Sequence, residues 1–129
     1  KVTKVIEECL IYDVLFIPGG FECPDRLRMR DDVQELVKSH HAGGKLIAAI
    51  CHGPWVLISS GICKNRKMTG YESIWPDLRN SGAQFINEPV VTDGNIITAQ
   101  HYKYNGLFMK EVIRWKPAAA WPKYEISHV

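Results

Sequence analysis

The run Ala49-Ile50-Cys51-His52-Gly53-Pro54 puts a thiol and an imidazole side by side, ahead of a glycine and a proline. Such a pair has the parts for nucleophilic catalysis: the imidazole takes the thiol proton and the thiolate attacks an electrophilic carbon. Neighbouring side chains on extended backbone diverge, so the two groups can cooperate only on a bend. A tight strand-to-helix turn supplies one, projecting the nucleophile into a cleft and bringing the imidazole back over the sulfur. Gly53 lets the backbone turn, Pro54 suits a first helical turn, and the positive end of the new helix favours a thiolate at Cys51. Two blander readings stay open. Cys51 could be a small buried hydrophobe, and His52 a half-exposed residue at a helix start.

Pro18-Gly19-Gly20 closes another apolar run. Two glycines permit a turn whose N–H groups, together with that of His52, can face a developing oxyanion opposite the bend. His101 falls just past Thr98-Ala99, where it either faces a substrate or sits in a loop. His40 and His41, near a helix C-terminus, read as surface residues that suit the helix dipole. Trp55 reads as core, and Trp75, Trp115 and Trp121 as packing or interface residues.

These groups need strands that end at one edge and helices that begin there. Tyr12-Asp13-Val14-Leu15-Phe16-Ile17 is a short β-branched and aromatic run stopped by Pro18-Gly19-Gly20, so it reads as a buried strand running into a tight turn. Asp31 to His41 has acids first, His and Lys near its end and apolar residues at helical spacing, with Gly43-Gly44 as its stop. Lys45-Leu46-Ile47-Ala48-Ala49-Ile50 is a nearly continuous apolar run, as a central parallel strand covered on both faces requires. Gly53 to Ser60, Tyr71 to Ser81 and Tyr104 to Trp115 read as further helices, and Val5 to Leu10 as a short helical piece. Val90-Val91-Thr92 and Asn95-Ile96-Ile97-Thr98 flank Asp93-Gly94 as a hairpin. The alternation implies an α/β layered sheet with right-handed crossovers. Such sheets normally hold about five or more strands, and this chain offers fewer, so an opening βα unit is expected to be missing. Residues 1–116 then make one α/β domain, N-terminally incomplete, and residues 117–129 a surface tail.

The 129 residues, 46% hydrophobic and 23% charged, fit one globular domain and exclude collagen-like, disordered and membrane classes. A formal charge of +2 without a basic block argues against a nucleic-acid partner. The longest apolar stretches, such as Leu46 to Cys51, fall far short of a membrane span. The 4 cysteines and 5 histidines show neither a CxxC pair nor metal-ligand spacing, so no metal and no cofactor is expected. Reduced thiols point to the cytoplasm. The chain opens at Lys1 with no signal-like segment, which reads as a fragment or a processed piece.

The combination of Tyr12 to Gly20, Pro24-Asp25-Arg26-Leu27-Arg28, Ala49 to Pro54 and Asp93 to Thr98 resembles the PfpI/ThiJ family of intracellular cysteine peptidases and deglycase-like enzymes, in the class I glutamine amidotransferase-like superfamily. The resemblance runs from about Tyr12 to Trp115, and the Ala49–Pro54 elbow is its most specific part. It implies a flavodoxin-like three-layer α/β/α sandwich with a mostly parallel sheet, Cys51 as nucleophile and His52 as its partner. It also implies an acid supplied across a subunit interface, hence a homo-oligomer, either a dimer or a larger ring. Asp25 falls at that acid's place, where peptidase-like members carry Glu; the plainer reading is a helix-capping acid or a surface acid paired with Arg26 or Arg28. Family members open with a strand and helix that carry a further Glu, and nothing in Lys1 to Ile11 corresponds; Glu7 and Glu8 lie in a different segment. Tyr71 follows Thr69-Gly70 where the deglycase branch places a His, which favours the peptidase-like branch and puts Tyr71 beside the substrate.

The leading expectation is a cysteine-dependent hydrolase acting on a peptide or a small carbonyl compound. Cys51 is its nucleophile and His52 its base, Gly19, Gly20 and His52 form the oxyanion hole, and His101 and Tyr71 line the substrate site. The alternative is a redox-sensing or chaperone-like stress protein in which Cys51 is oxidised to sulfinate. A glutamine amidotransferase is disfavoured, because Ala49 stands where those enzymes need Gly and no His-x-Glu pair follows.

Overall fold

The computed structural model describes residues 11–117; Val5 to Leu10 and all of the tail beyond Pro117 lie outside them. Strand β1, Val14–Ile17, is the β-branched run, and it ends where Pro18 has no N–H for the ladder. At the edge of the main sheet it is not the buried strand expected, since Val14 and Phe16 are exposed and only Ile17 is buried. Helix α1, Glu22–Leu27, follows the Gly19-Gly20 turn. Helix α2, Asp31–Ala42, starts with Asp31 and Asp32, which suit the positive end of its dipole, and carries His40 and His41 in its last turn. Strand β2, Leu46–Ile50, is buried at every position and leads into helix α3, Pro54–Ser59, with Pro54 in its first turn. Then come β3, Lys67–Met68, a 3₁₀ turn at Glu72–Ile74, α4, Trp75–Asn80, and β4, Gln84–Phe85. Strands β5, Val90–Asp93, and β6, Ile96–Ala99, form the hairpin, and a 3₁₀ turn at Tyr102–Tyr104 leads into α5, Asn105–Arg114.

The main sheet runs β1-β2-β6-β5. β1, β2 and β6 are parallel, and β5 is antiparallel to β6. Adjacent residues of the central strands feed opposite cores. Ile47, Ala49 and Ile96 pack with Val33 and Val37 of α2, Val56 and Leu57 of α3 and Leu78 of α4. Leu46, Ala48, Ile50 and Ile97 pack with Phe108 of α5. Helices on both faces of a mostly parallel sheet make the flavodoxin-like layering. Truncating a fully buried side chain such as Leu57 to Ala would cost about 2–5 kcal/mol. The parallel strands β1 and β2 end at the Gly19-Gly20 turn and the Cys51 bend, so both loops share one edge of the sheet.

The structure differs from three further local expectations. The helix expected over Tyr71 to Ser81 breaks at Ile74, because Pro76 cannot donate to the turn before it and sits instead in the first turn of α4. The hairpin loop is Gly94-Asn95 rather than Asp93-Gly94: Gly94 adopts φ +59, and Asp93 stays in β5 opposite Ile96. The buried Asn95 amide donates to the Lys45 carbonyl at 3.0 Å while its oxygen accepts from Arg66 at 3.1 Å. Strands β3 and β4 pair in a separate two-residue ladder, too short to leave a periodic signal. His40 is fully buried rather than on the surface. Its Nδ1 donates to the Leu36 carbonyl at 2.8 Å and its Nε2 accepts from the Tyr12 N–H at 3.1 Å, fixing a neutral tautomer.

Candidate active site

Cys51 follows directly on β2, and its φ of +64 lies in the region that L-residues seldom occupy. The surrounding backbone holds it there. The Cys51 N–H donates to the Ala99 carbonyl at 2.9 Å, the Cys51 carbonyl accepts from the Tyr71 N–H at 2.9 Å, and the Gly53 N–H closes the bend onto the Ile50 carbonyl at 2.9 Å. Glycine is required at two neighbouring positions. A Cβ on Gly53 would stand 2.9 Å from both the Ile17 and the Ile50 carbonyl oxygens, and one on Gly19 would stand 2.7 Å from Cys51 Cβ.

The bend brings His52 back over the sulfur, as required for cooperation. Cys51 Sγ lies 3.3 Å from His52 Nδ1, and His52 Nε2 lies 3.1 Å from Ser73 Oγ. Both Cys51 and His52 are half-buried. Burial holds the His52 pKa below the ordinary histidine value, because desolvation disfavours imidazolium. The thiol at Cys51 thus faces a nitrogen that can accept its proton. The alternative of an apolar-buried cysteine with no imidazole near it does not describe this site.

A row of rings extends from this pair. Trp55 packs edge-on to His52 at 4.9 Å, Tyr71 stacks on its other side at 4.8 Å, and the Phe21 ring is 6.4 Å away. Tyr71 also stacks on His101 at 5.9 Å, and the His101 ring lies tilted against Tyr102 at 4.1 Å. The structure therefore brings Cys51, His52, Tyr71 and His101 into one continuous surface. His101 Nδ1 accepts from the Lys103 N–H at 3.1 Å and caps the 3₁₀ turn. Gly19 backs directly onto Cys51, whereas Gly20, at φ +78, is exposed and has open space around it. Among the described residues, the N–H groups of Gly20 and His52 have no protein acceptor.

Asp25 is exposed on α1 and, among the described residues, has no ion-pair partner. The neighbouring arginines are engaged elsewhere: Arg26 pairs with Glu22 at 2.9 Å, and Arg28 donates to Ser59 Oγ at 2.9 Å with its guanidinium 5.2 Å from the Trp55 ring. Trp55 is thus a half-buried wall of the site rather than core, its indole N–H donating to Asp77 at 3.0 Å. A hollow of about 570 Å³, lined by Gly20, Phe21, Cys23 and Leu27 among others, adjoins the same turn. Among the described residues no group of three or more His, Cys, Asp or Glu is placed to hold a metal ion, and no helix is long and apolar enough to cross a membrane. Nothing in the sequence pattern marks Ser73 or Phe21 for the site. Ser73 lies 21 positions from His52 in a three-residue turn, and neither periodicity nor a motif marks it.

The model of the DJ-1/PfpI family matches residues 1–115. The chain is 38% identical over 103 residues to "Deglycase PfpI" of Pyrococcus furiosus, covering 80% of this chain and 61% of that protein. It is 45% identical over 102 residues to "Putative cysteine protease YraA" of Bacillus subtilis, covering 78% and 60% respectively. The solved structure of Schizosaccharomyces pombe DJ-1 superposes with a TM-score of 0.75 at 30% identity, over 84% of this chain and 57% of that one. The chain spans about 60% of the length of the two curated relatives. A family match over nearly the whole sequence, joined to a Cys–His pair on a strained strand-to-helix bend, makes this chain a member of the DJ-1/PfpI family.

Proposed function

We propose that the protein is a cysteine-dependent hydrolase acting on a peptide bond or on a small reactive carbonyl compound. The observation that carries this reading is the 3.3 Å approach of Cys51 Sγ to His52 Nδ1 at a residue held at φ +64. The Cys51 proton passes to His52 Nδ1 as sulfur bonds to the carbonyl carbon, and the carbonyl π electrons move onto oxygen. That oxyanion is met by the unengaged N–H groups of the Gly19-Gly20 turn and of His52. For a peptide, the C–N bond then breaks, the leaving amine takes the proton from His52, and a water activated by His52 hydrolyses the thioester. Tyr71 and His101 flank the incoming group, and reducing cytoplasm keeps the thiol available. In this reading Asp25 serves a neighbouring copy of the chain, so the active species is a homo-oligomer.

Replacing Cys51 by Ala is expected to abolish peptide cleavage and methylglyoxal consumption. Full turnover by that variant would overturn the mechanism. Asp25→Asn should lower turnover only where the protein is oligomeric by light scattering.

A further inference from the structure

We propose that Ser73 is a positioning residue for His52: its hydroxyl oxygen accepts from Nε2–H, which leaves the Nδ1 lone pair turned to the Cys51 thiol. This rests on the reading of Cys51 as nucleophile and His52 as its base. Neutral imidazole carries one N–H and one lone pair, so the partner of one nitrogen decides what the other can do. Here the two ring nitrogens meet different atoms, Nδ1 with Cys51 Sγ at 3.3 Å and Nε2 with Ser73 Oγ at 3.1 Å. A hydroxyl can donate or accept. If it donated to Nε2, that bond would have to break whenever imidazolium formed, because both nitrogens then carry hydrogens. As an acceptor it persists before and after the thiol proton moves. The bond favours the tautomer that can act as base and also supports the cation produced.

The backbone supports the role. Ser73 lies in the Glu72–Ile74 turn, which is fastened to the elbow by the Tyr71 N–H on the Cys51 carbonyl at 2.9 Å and closed on itself by the Trp75 indole N–H on the Gly70 carbonyl at 2.8 Å. Gly70 lets the turn close, since a Cβ there would stand 2.9 Å from Ile74 Cδ1 and 3.3 Å from the Cys51 carbonyl. The turn carrying Ser73 is therefore fastened to the residue that carries the sulfur. His52 is otherwise enclosed by Phe21, Trp55 and Tyr71, and among these described neighbours only Cys51 and Tyr71 can titrate. No carboxylate among the described residues bonds the ring, which leaves the hydroxyl as its orienting partner among them.

The test uses the full chain with ¹⁵N-labelled histidine. At pH 7.5 the His52 ring should be protonated at Nε2 in the wild type and become a mixture of tautomers in Ser73→Ala. Iodoacetamide alkylation of Cys51 should slow about three- to tenfold in Ser73→Ala, as expected for loss of one hydrogen bond. The rate is read by mass spectrometry on the Cys51 peptide, because exposed Cys23 also reacts. Ser73→Thr, which keeps the hydroxyl, should restore both readouts. A wild-type ring protonated at Nδ1, or a Ser73→Ala variant with unchanged tautomer and alkylation rate, would overturn the proposal. Failure of the hydrolase reading shows separately, as turnover surviving in Cys51→Ala.

Discussion

Gly19→Ala tests whether the nucleophile is held by a backbone that closes around it. The new Cβ would stand 2.7 Å from Cys51 Cβ, 3.1 Å from the Ile50 carbonyl oxygen and 3.6 Å from Cys51 Sγ. None of these atoms is the end of a flexible chain. The Ile50 carbonyl accepts from Gly53, and Cys51 is tied through its N–H to Ala99 and through its carbonyl to Tyr71. Relief therefore requires the elbow to move. Overpacking of this kind costs about 1–3 kcal/mol, and about 2 kcal/mol lowers Tm by roughly 6–10 °C in a chain of this size. Gly61→Ala is the control. Gly61 also has positive φ, +76, but nothing lies within 4 Å of its Cβ position, so only backbone strain of about 1 kcal/mol is introduced. Urea and thermal melts should show a loss for both variants. Alkylation of Cys51 by iodoacetamide should change severalfold in Gly19→Ala alone, because only there is the sulfur displaced. A Gly19→Ala protein with wild-type melting and alkylation would show that the close approach to Cys51 does not constrain the site.

Cys51→Gly should be more stable than Cys51→Ala by about 0.5 kcal/mol in urea unfolding, since glycine accepts φ +64 with less strain and loses part of the gain to unfolded-state entropy; an alanine variant of equal or greater stability would refute the strain. His40, His41 and His52 all have pKa values lowered mainly by burial. The unfolded chain therefore binds more protons below about pH 6.5, and stability, complete above that pH, should fall as the pH drops through the lowered native values. Urea midpoints at pH 7.5 and 5.5 check this, and His40→Gln should flatten part of the slope. Under mild peroxide, mass spectrometry should find Cys51 oxidised and Cys63 intact, because burial pushes the Cys63 thiol up to about 12. Stoichiometric sulfinate at Cys51 with no turnover on any substrate would favour the sensor reading over the hydrolase.

How much the sequence revealed depended on how local the determining physics is. β2 is legible because a strand covered on both faces must be apolar at nearly every position, and Leu46 to Ile50 are all buried. The ends of α2 are legible because acids, basic residues and glycines mark them within a few positions. The burial of His40 is not legible because it depends on Tyr12, 28 positions away, which supplies the N–H that makes a buried imidazole tolerable. β3 and β4 carry two residues each and are held by pairing rather than by pattern.

The site divides along the same line. Cys51 and His52 could be read from six consecutive residues, since the conflict between adjacency and divergence has one common solution, a sharp bend with glycine and proline beyond it. What surrounds the pair could not be read that way. Trp55 looked like core because tryptophan usually packs, yet Arg28 over one part of the ring and Asp77 on its N–H give its polar edge partners at the surface, so it can wall a cleft. Ser73 reaches His52 only because Pro76 ends the preceding turn and the Tyr71 N–H fastens that turn to the Cys51 carbonyl. A local motif can therefore supply the reacting atoms, while the group that orients them depends on how a distant turn is attached. That is why an alanine at Ser73 should alter the chemistry at Cys51 without touching the sulfur.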